Sequence, residues 1–336
     1  MSIHARRHNA RRLLVERRLR ALLHRSHPRD LREGCRYVLA AGGKRVRSVL
    51  VLLAAEAVGG SARAAADAGA AVELLHNFTL VHDDVMDHAD TRRGRPTVHR
   101  RWDLNTALLV GDVLLGLGYD RLLRTRSPRI ASILRVYTEG LLEVCEGQAL
   151  DLEFERRDDV RPGEYFRMIE MKTARLIAMS AELGGLIGGG TAREVAALRT
   201  FGFRLGRAFQ LQDDLLDVVA EEEAFGKVIG GDILEGKKTY LFLRALQEAS
   251  ARDRAALRRL VRKAPAGAPR NPRSRASRAR VAAVTALYRR YGVMAAAERA
   301  VQRDTAAAVR ALERLPDTPA RATLRWLAAS LLRRSS

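Results

Sequence analysis

Residues 64–88 read AAADAGAAVELLHNFTLVHDDVMDH, and this stretch decides the fold class. Its apolar residues recur at i, i+3 and i+4, the spacing of one helix face, and no Pro interrupts them. Segments near 45–58, 103–123, 129–152, 163–187, 192–221 and 232–249 read the same way. Helical periodicity begins near Arg11, and after a polar interval it resumes from about Val281 to Leu332. Gly and Pro punctuate the gaps, as at Gly59-Gly60, Gly94 to Pro96 and Gly188 to Gly190. β-Branched alternation never persists beyond a few residues, and the abundance of Ala, Leu and Arg favours helix. The reading is an all-α fold, organised as one domain over residues 1–336.

The 64–88 stretch ends in an acidic motif that a second helix repeats. VHDDVMD at 81–87 and LQDDLLD at 211–217 share one pattern: apolar, polar, Asp, Asp, apolar, apolar, Asp. Helical residues i and i+4 share a face, so Asp83 projects with Asp87, and Asp213 with Asp217. Asp84 and Asp214 lie one step round. Like charges so placed repel, and a cation is required to compensate. Oxygen-only ligand sets favour hard cations, and Mg²⁺ is held by one or two carboxylates plus substrate phosphates. Two such helices facing one another across a cavity would line it with carboxylates on both sides. A single acidic repeat is also compatible with a solvated acidic face, but two copies inside apolar helices argue for ligands.

Basic motifs supply the complement. Gly42-Gly43-Lys44-Arg45-Val46-Arg47 opens a helix, where unpaired N–H groups already favour an anion. Lys44 and Arg47, three apart, are expected to converge on one phosphate. Arg92-Arg93-Gly94, Lys172-Thr173, Gly226-Lys227 and Glu235-Gly236-Lys237-Lys238-Thr239 follow. The formal charge of +21 and pI near 11.1 attract polyanions in general. Only six of the 60 basic residues are Lys, however, and five of those six fall in these motifs. A compact ammonium is not interchangeable with a guanidinium, so that placement speaks for phosphate binding.

Assembled in this order, these residues resemble the trans-isoprenyl diphosphate synthase (polyprenyl synthetase) family from about residue 40 to 245, and in particular its short-chain geranylgeranyl and farnesyl diphosphate synthases. The resemblance implies a helical bundle of the isoprenoid synthase type with a central cavity. It implies that Asp83, Asp84, Asp87, Asp213, Asp214 and Asp217 hold about three Mg²⁺ ions around an allylic diphosphate. Arg92, Lys172, Thr173, Gln210, Lys227 and Lys237 match positions that contact that diphosphate. Lys172 and Lys227, with the aspartates, are the implied catalytic groups. Lys44, Arg47, His76 and Arg93 match those that bind isopentenyl diphosphate. The stretch CEGQALDLEFE, with Gln148 and Asp151, matches another helix lining the cavity. Members of the family are usually homodimers. One departure is Ser48, where the first motif commonly carries Pro. Phe78, five residues before Asp83, with Thr79 beside it, resembles the bulky floor of short-chain synthases. The implied product is geranylgeranyl diphosphate, with farnesyl diphosphate or a longer polyprenyl diphosphate as alternatives, and Phe78 is equally compatible with ordinary core packing.

Two other readings remain. A class I terpene cyclase would share the acidic helix, but DDLLD and GGKRVR speak against it. A non-catalytic helical protein binding polyanions would suit the charge, but no nucleic-acid module or interleaved aromatics support it. Cys35 and Cys145 are too few for a disulfide framework or a zinc site. No apolar stretch of about 18 residues is available to span a bilayer. The first residues, MSIHARRHNARR, lack the apolar run of a secretory leader. A cytoplasmic enzyme is therefore expected, with no nucleic-acid partner. Residues 252–280, rich in Pro, Ser and Arg and without an apolar face, are expected to form a mobile basic loop.

Overall fold

A computed structural model of the chain describes residues 2–22, 28–219, 230–262 and 274–332. It is about 79% helical with almost no sheet. The chain divides into two compact units: residues 1–142, 176–202 and 310–327 form the first, and residues 143–175, 203–309 and 328–336 the second.

In the first unit, helix α4 (Ala66–Met86) carries the 64–88 stretch. It packs against α1 (Ile3–Arg20), α2 (Arg29–Ala40), α3 (Val46–Ala57), α5 (Val98–Arg101) and most extensively α6 (Leu104–Leu123). α1 begins eight residues before the expected start near Arg11, because the Ser2 hydroxyl caps it by accepting from Ala5 N. Small residues allow the close approach of these helices: a Cβ on Gly111 of α6 would stand 2.2 Å from His82 Nε2 of α4. After α4 the chain turns through a short hairpin, β1 (Thr91–Arg92) paired with β2 (Arg95–Pro96). Its turn residues Arg93 and Gly94 have φ of 53° and 72°, the two positive values a tight hairpin turn with right-handed twist demands.

Next in chain order, α7 (Ile130–Arg156) belongs to the first unit up to residue 142 and to the second beyond it; α8 (Pro162–Ile169) and a π-helical turn (Glu170–Ala174) follow in the second, and α9 (Arg175–Ile187) lies in the first from residue 176. The single helix expected over 163–187 is thus interrupted by one wide turn. Long α10 (Ala192–Val219) carries the second acidic motif. The helix expected over 232–249 is two, α11 (Gly231–Glu235) and α12 (Tyr240–Glu248), because Gly236 takes φ of 72° and ends the first. Then come α13 (Ala251–Leu260), α14 (Arg275–Arg290), α15 (Val293–Leu312) and α16 (Pro319–Leu332). The core of the second unit joins Phe154, Tyr165, Leu211, Leu215, Phe242, Leu257, Tyr288 and Val301. The segment 252–280, expected as a loop, is helical at both ends, capped by Ser250 before α13 and Ser274 before α14. Leu257 gives α13 one fully buried contact that composition alone hides. Residues 263–273 lie outside the described ones.

Candidate active site

In the first unit, Asp83 and Asp84 occupy the last turn of α4, and Asp87 is its C-cap. Carboxylates there face both one another and the negative end of the helix dipole. Arg92 answers from the hairpin: its Nε donates to Asp84 Oδ1 at 2.6 Å and its Nη2 to Asp83 Oδ2 at 3.4 Å. Burial pushes the Asp84 carboxyl up, and Arg92 opposes that push. Arg92 therefore engages the aspartates directly. Phe78 is buried one turn earlier, edge-on to the His82 ring with centroids 4.7 Å apart. The Thr79 hydroxyl donates to the His76 carbonyl. His82, which flanks the acidic motif in sequence, is turned into the α6 contact, with Nε2 3.1 Å from the Leu108 carbonyl.

The Gly42–Arg47 motif forms a corner before α3. Gly42, Gly43 and Arg45 have φ of 72°, 131° and 49°, so the helix starts only at Val46. Lys44 consequently stands outside the helix and exposed, and the helical i, i+3 pairing expected with Arg47 does not apply. The corner nevertheless draws in the other expected residues of its set. Arg47 Nη1 lies 3.2 Å from His76 Nε2, and Arg93 Nη1 donates to the Gly42 carbonyl. Burial, then the guanidiniums of Arg47, Arg93, Arg92 and Arg45, hold the His76 pKa well below its usual value. The imidazole is neutral at pH 7 and accepts from, or donates to, the groups around it without adding positive charge.

In the second unit a cleft of about 190 Å³ is lined by Asp213, Asp214, Asp217, Lys172, Thr173, Gln210 and Lys237, all expected from sequence. Asp151, Tyr165, Asp232 and Lys238 line it too. Asp214 is buried; its Oδ2 accepts from Tyr165 Oη at 2.6 Å and its Oδ1 from Gln210 Nε2 at 2.9 Å. Thr173 Oγ1 donates to Gln210 Oε1 at 2.9 Å, completing a chain from the π turn to the acidic motif. Lys172 Nζ donates to Asp151 Oδ2 at 2.6 Å. Lys237 Nζ lies 3.0 Å from Glu235 and 3.6 Å from Asp232. Asp217 Oδ2 accepts from the Asp232 amide at 3.1 Å. Burial first, and Asp232 second, push the Asp214 carboxyl up to about 7 and that of Asp217 to about 8. Lys227 lies outside the described residues. Tyr165 and Asp232 carry no repeating spacing, so pattern reading passed over them. The only sequence signal for Asp232 was an acidic residue beside the EGKKT motif.

Among the described residues, no three His, Cys, Asp or Glu side chains already form a group able to ligate one ion. The donor set nevertheless fits a hard divalent cation: carboxylates only, half-buried or buried, with burial and then Asp232 favouring the protonated form of two of them. Mg²⁺ takes few protein ligands and completes its shell with phosphate oxygens and water, so a preformed protein cage is not required.

The sequence profile of the polyprenyl synthetase family matches residues 28–271. The chain is 44% identical over 245 residues to a short chain isoprenyl diphosphate synthase of Methanothermobacter thermautotrophicus, covering 73% of this chain and 75% of that one. It is 42% identical over 241 residues to a geranylgeranyl diphosphate synthase of Methanosarcina mazei, covering 71% and 74%. Among solved structures, geranylgeranyl pyrophosphate synthetase from Pyrococcus horikoshii superimposes with a TM-score of 0.91 at 37% identity, over 98% of each chain. This chain belongs to the polyprenyl synthetase family. No described helix is long and apolar enough to cross a membrane.

Proposed function

We propose that the chain is a Mg²⁺-dependent trans-prenyltransferase that condenses isopentenyl diphosphate with an allylic diphosphate, giving geranylgeranyl diphosphate. The observation that carries this reading is the pair of D-D-x-x-D motifs, each accompanied by its own cationic set, in a chain whose relatives at 42–44% identity are named for such condensations. The chain is read as one isoprenyl synthase domain, because the single family profile over residues 28–271 takes in residues of both units. Asp83, Asp84, Asp87, Asp213, Asp214 and Asp217 hold the metal ions, and Arg92, Lys172, Thr173, Gln210, Lys227 and Lys237 hold the allylic diphosphate. Lys44, Arg47, His76 and Arg93 hold the diphosphate of isopentenyl diphosphate. The enzyme works in the cytoplasm as a homodimer, and exposed Leu104, Leu108 and Leu109 on α6 are the apolar face such an interface covers.

Mg²⁺ held by the six aspartates would neutralise charge on the leaving pyrophosphate and so lower the barrier to C–O cleavage. Lys and Arg side chains add fixed positive charge at the same oxygens. The allylic C–O bond breaks, and its electron pair leaves with pyrophosphate. The double bond of isopentenyl diphosphate then attacks the allylic carbon, forming the new C–C bond. A proton lost to the departing pyrophosphate restores the alkene. No nucleophilic side chain is needed, and neutral His76 orients substrate without competing for the proton. Phe78 sets the floor beneath the growing chain. Incubation with labelled isopentenyl diphosphate and geranyl or farnesyl diphosphate tests the reading. Label is expected to enter a twenty-carbon product, and Phe78→Ala is expected to lengthen it; absence of incorporation from every primer would refute the assignment.

A further inference from the structure

At the Gly42–Arg47 corner lies a buried ion pair, Arg45 with Glu73, neither of which belongs to the proposed substrate-binding set. Arg45 and Glu73 side chains are 4% and 3% exposed, and Arg45 Nη1 donates to Glu73 Oε1 at 2.8 Å. The second arm of the guanidinium, Nη2, donates to the Leu39 carbonyl at 2.6 Å, one residue before the end of α2. The other carboxylate oxygen, Glu73 Oε2, accepts from the Ser48 hydroxyl in the first turn of α3. Asn77 Nδ2 also reaches Glu73, at 2.7 Å to its carbonyl and 3.3 Å to Oε1. One carboxylate on α4 thereby ties together the end of α2, the left-handed residue Arg45 and the start of α3.

The consequence is geometric. Arg45 is a non-glycine residue at φ of 49°, a conformation that L side chains avoid and that must be held by its surroundings. That conformation turns Lys44 outward on one side and starts α3 on the other, so that Arg47 meets His76. His76 sits one helical turn after Glu73 on α4, so the same carboxylate references both halves of the contact. The Ser48 departure from Pro has a role here. Its hydroxyl satisfies a buried acceptor that Pro, with no donor, would leave to other groups.

We infer that Glu73 is the positioning residue of the isopentenyl diphosphate set: through Arg45 and Ser48 it fixes the turn that aims Lys44 and Arg47. This rests on the function proposed above. A buried charge pair is not by itself a stabilising device, because removing two charges from water offsets much of their attraction. Its retention beneath a binding corner is accounted for by the geometry it enforces.

The test compares wild type with Glu73→Gln, which keeps shape and removes charge, and with Ser48→Ala, which removes one donor and leaves the ion pair. Steady-state kinetics and calorimetric titration with isopentyl diphosphate, the saturated analogue of isopentenyl diphosphate that lacks the attacking double bond, are the readouts. Glu73→Gln is expected to raise KM for isopentenyl diphosphate and the analogue's Kd by about tenfold, with KM for the allylic primer within about twofold. Ser48→Ala is expected to move the same two constants by about threefold and to lower the thermal midpoint only modestly, since Glu73 keeps its bonds to Arg45 and Asn77. Equal losses for both substrates, tracking a lowered folded fraction, would reduce Glu73 to a structural residue and overturn the inference. Unchanged analogue affinity in Ser48→Ala would also overturn it. A wild-type enzyme that fails to elongate any primer would instead refute the proposed function, which the analogue titration distinguishes.

Discussion

Asp214 accepts hydrogen bonds from Tyr165 and Gln210, and Asp217 accepts one from the Asp232 amide, yet both carboxyls titrate far above the usual range. Burial and the neighbouring Asp232 outweigh those bonds. In an unfolded chain both would lose their protons near pH 4. Between that pH and about 7 to 8 the folded state holds protons that the unfolded state has released. The stability they contribute is thus full below about pH 4 and lost as pH rises through the folded values. Protein stripped of divalent metal is expected to melt at a lower temperature at pH 8 than at pH 6, followed by differential scanning fluorimetry. Mg²⁺ with pyrophosphate should restore more of the midpoint at pH 8 than at pH 6, because a cation favours the ionised carboxylates. Asp217→Asn should flatten the pH dependence; an unchanged slope would assign the effect elsewhere.

The π-helical turn Glu170–Ala174 places Lys172 and Thr173 in the acidic cleft, and α7 is shaped to let it in. A Cβ on Gly147 would stand 2.3 Å from Lys172 N and 2.8 Å from its Cα. Gly147→Ala must therefore displace the turn, costing about 1–3 kcal/mol of stability. Its kcat should fall about tenfold or more as Lys172 and Thr173 shift, since misplacement of about 1 Å is that damaging. Gly163→Ala on α8 meets nothing within 4 Å and is the control, expected to leave both quantities nearly unchanged. At this scale the sequence was legible where apolar spacing repeats over many residues, as in α4, α6, α7 and α10. It was not legible where one residue changes the path: the π turn, the break at Gly236, and the two-residue strands after Asp87. Glu73 left a faint trace, as a lone acid in the run AGAAVELLHNF, but only the fold brings Arg45 and Ser48 to it. α13 and the start of α14 were hidden because an Arg-rich helix with a single buried Leu has almost no apolar face.

For the molecule as a whole, composition and periodicity sufficed for the all-α class, and the order of motifs sufficed for the family. Leu104 and Leu109 are 53% and 51% exposed on α6, and the proposed dimer interface would cover them. Light scattering after size exclusion is expected to give twice the chain mass of 37.2 kDa, and Leu108→Asp with Leu109→Asp to give the monomer. A wild-type monomer would refute that assignment. The central claim is prenyl transfer through both acidic motifs, and product mass spectrometry tests it most directly. Purified protein with Mg²⁺, isopentenyl diphosphate and farnesyl diphosphate should yield geranylgeranyl diphosphate. Asp83→Ala and Asp213→Ala, each well folded, should each lower the yield by about a hundredfold or more. Full elongation in either variant, or none in the wild type with any allylic primer, would contradict the account.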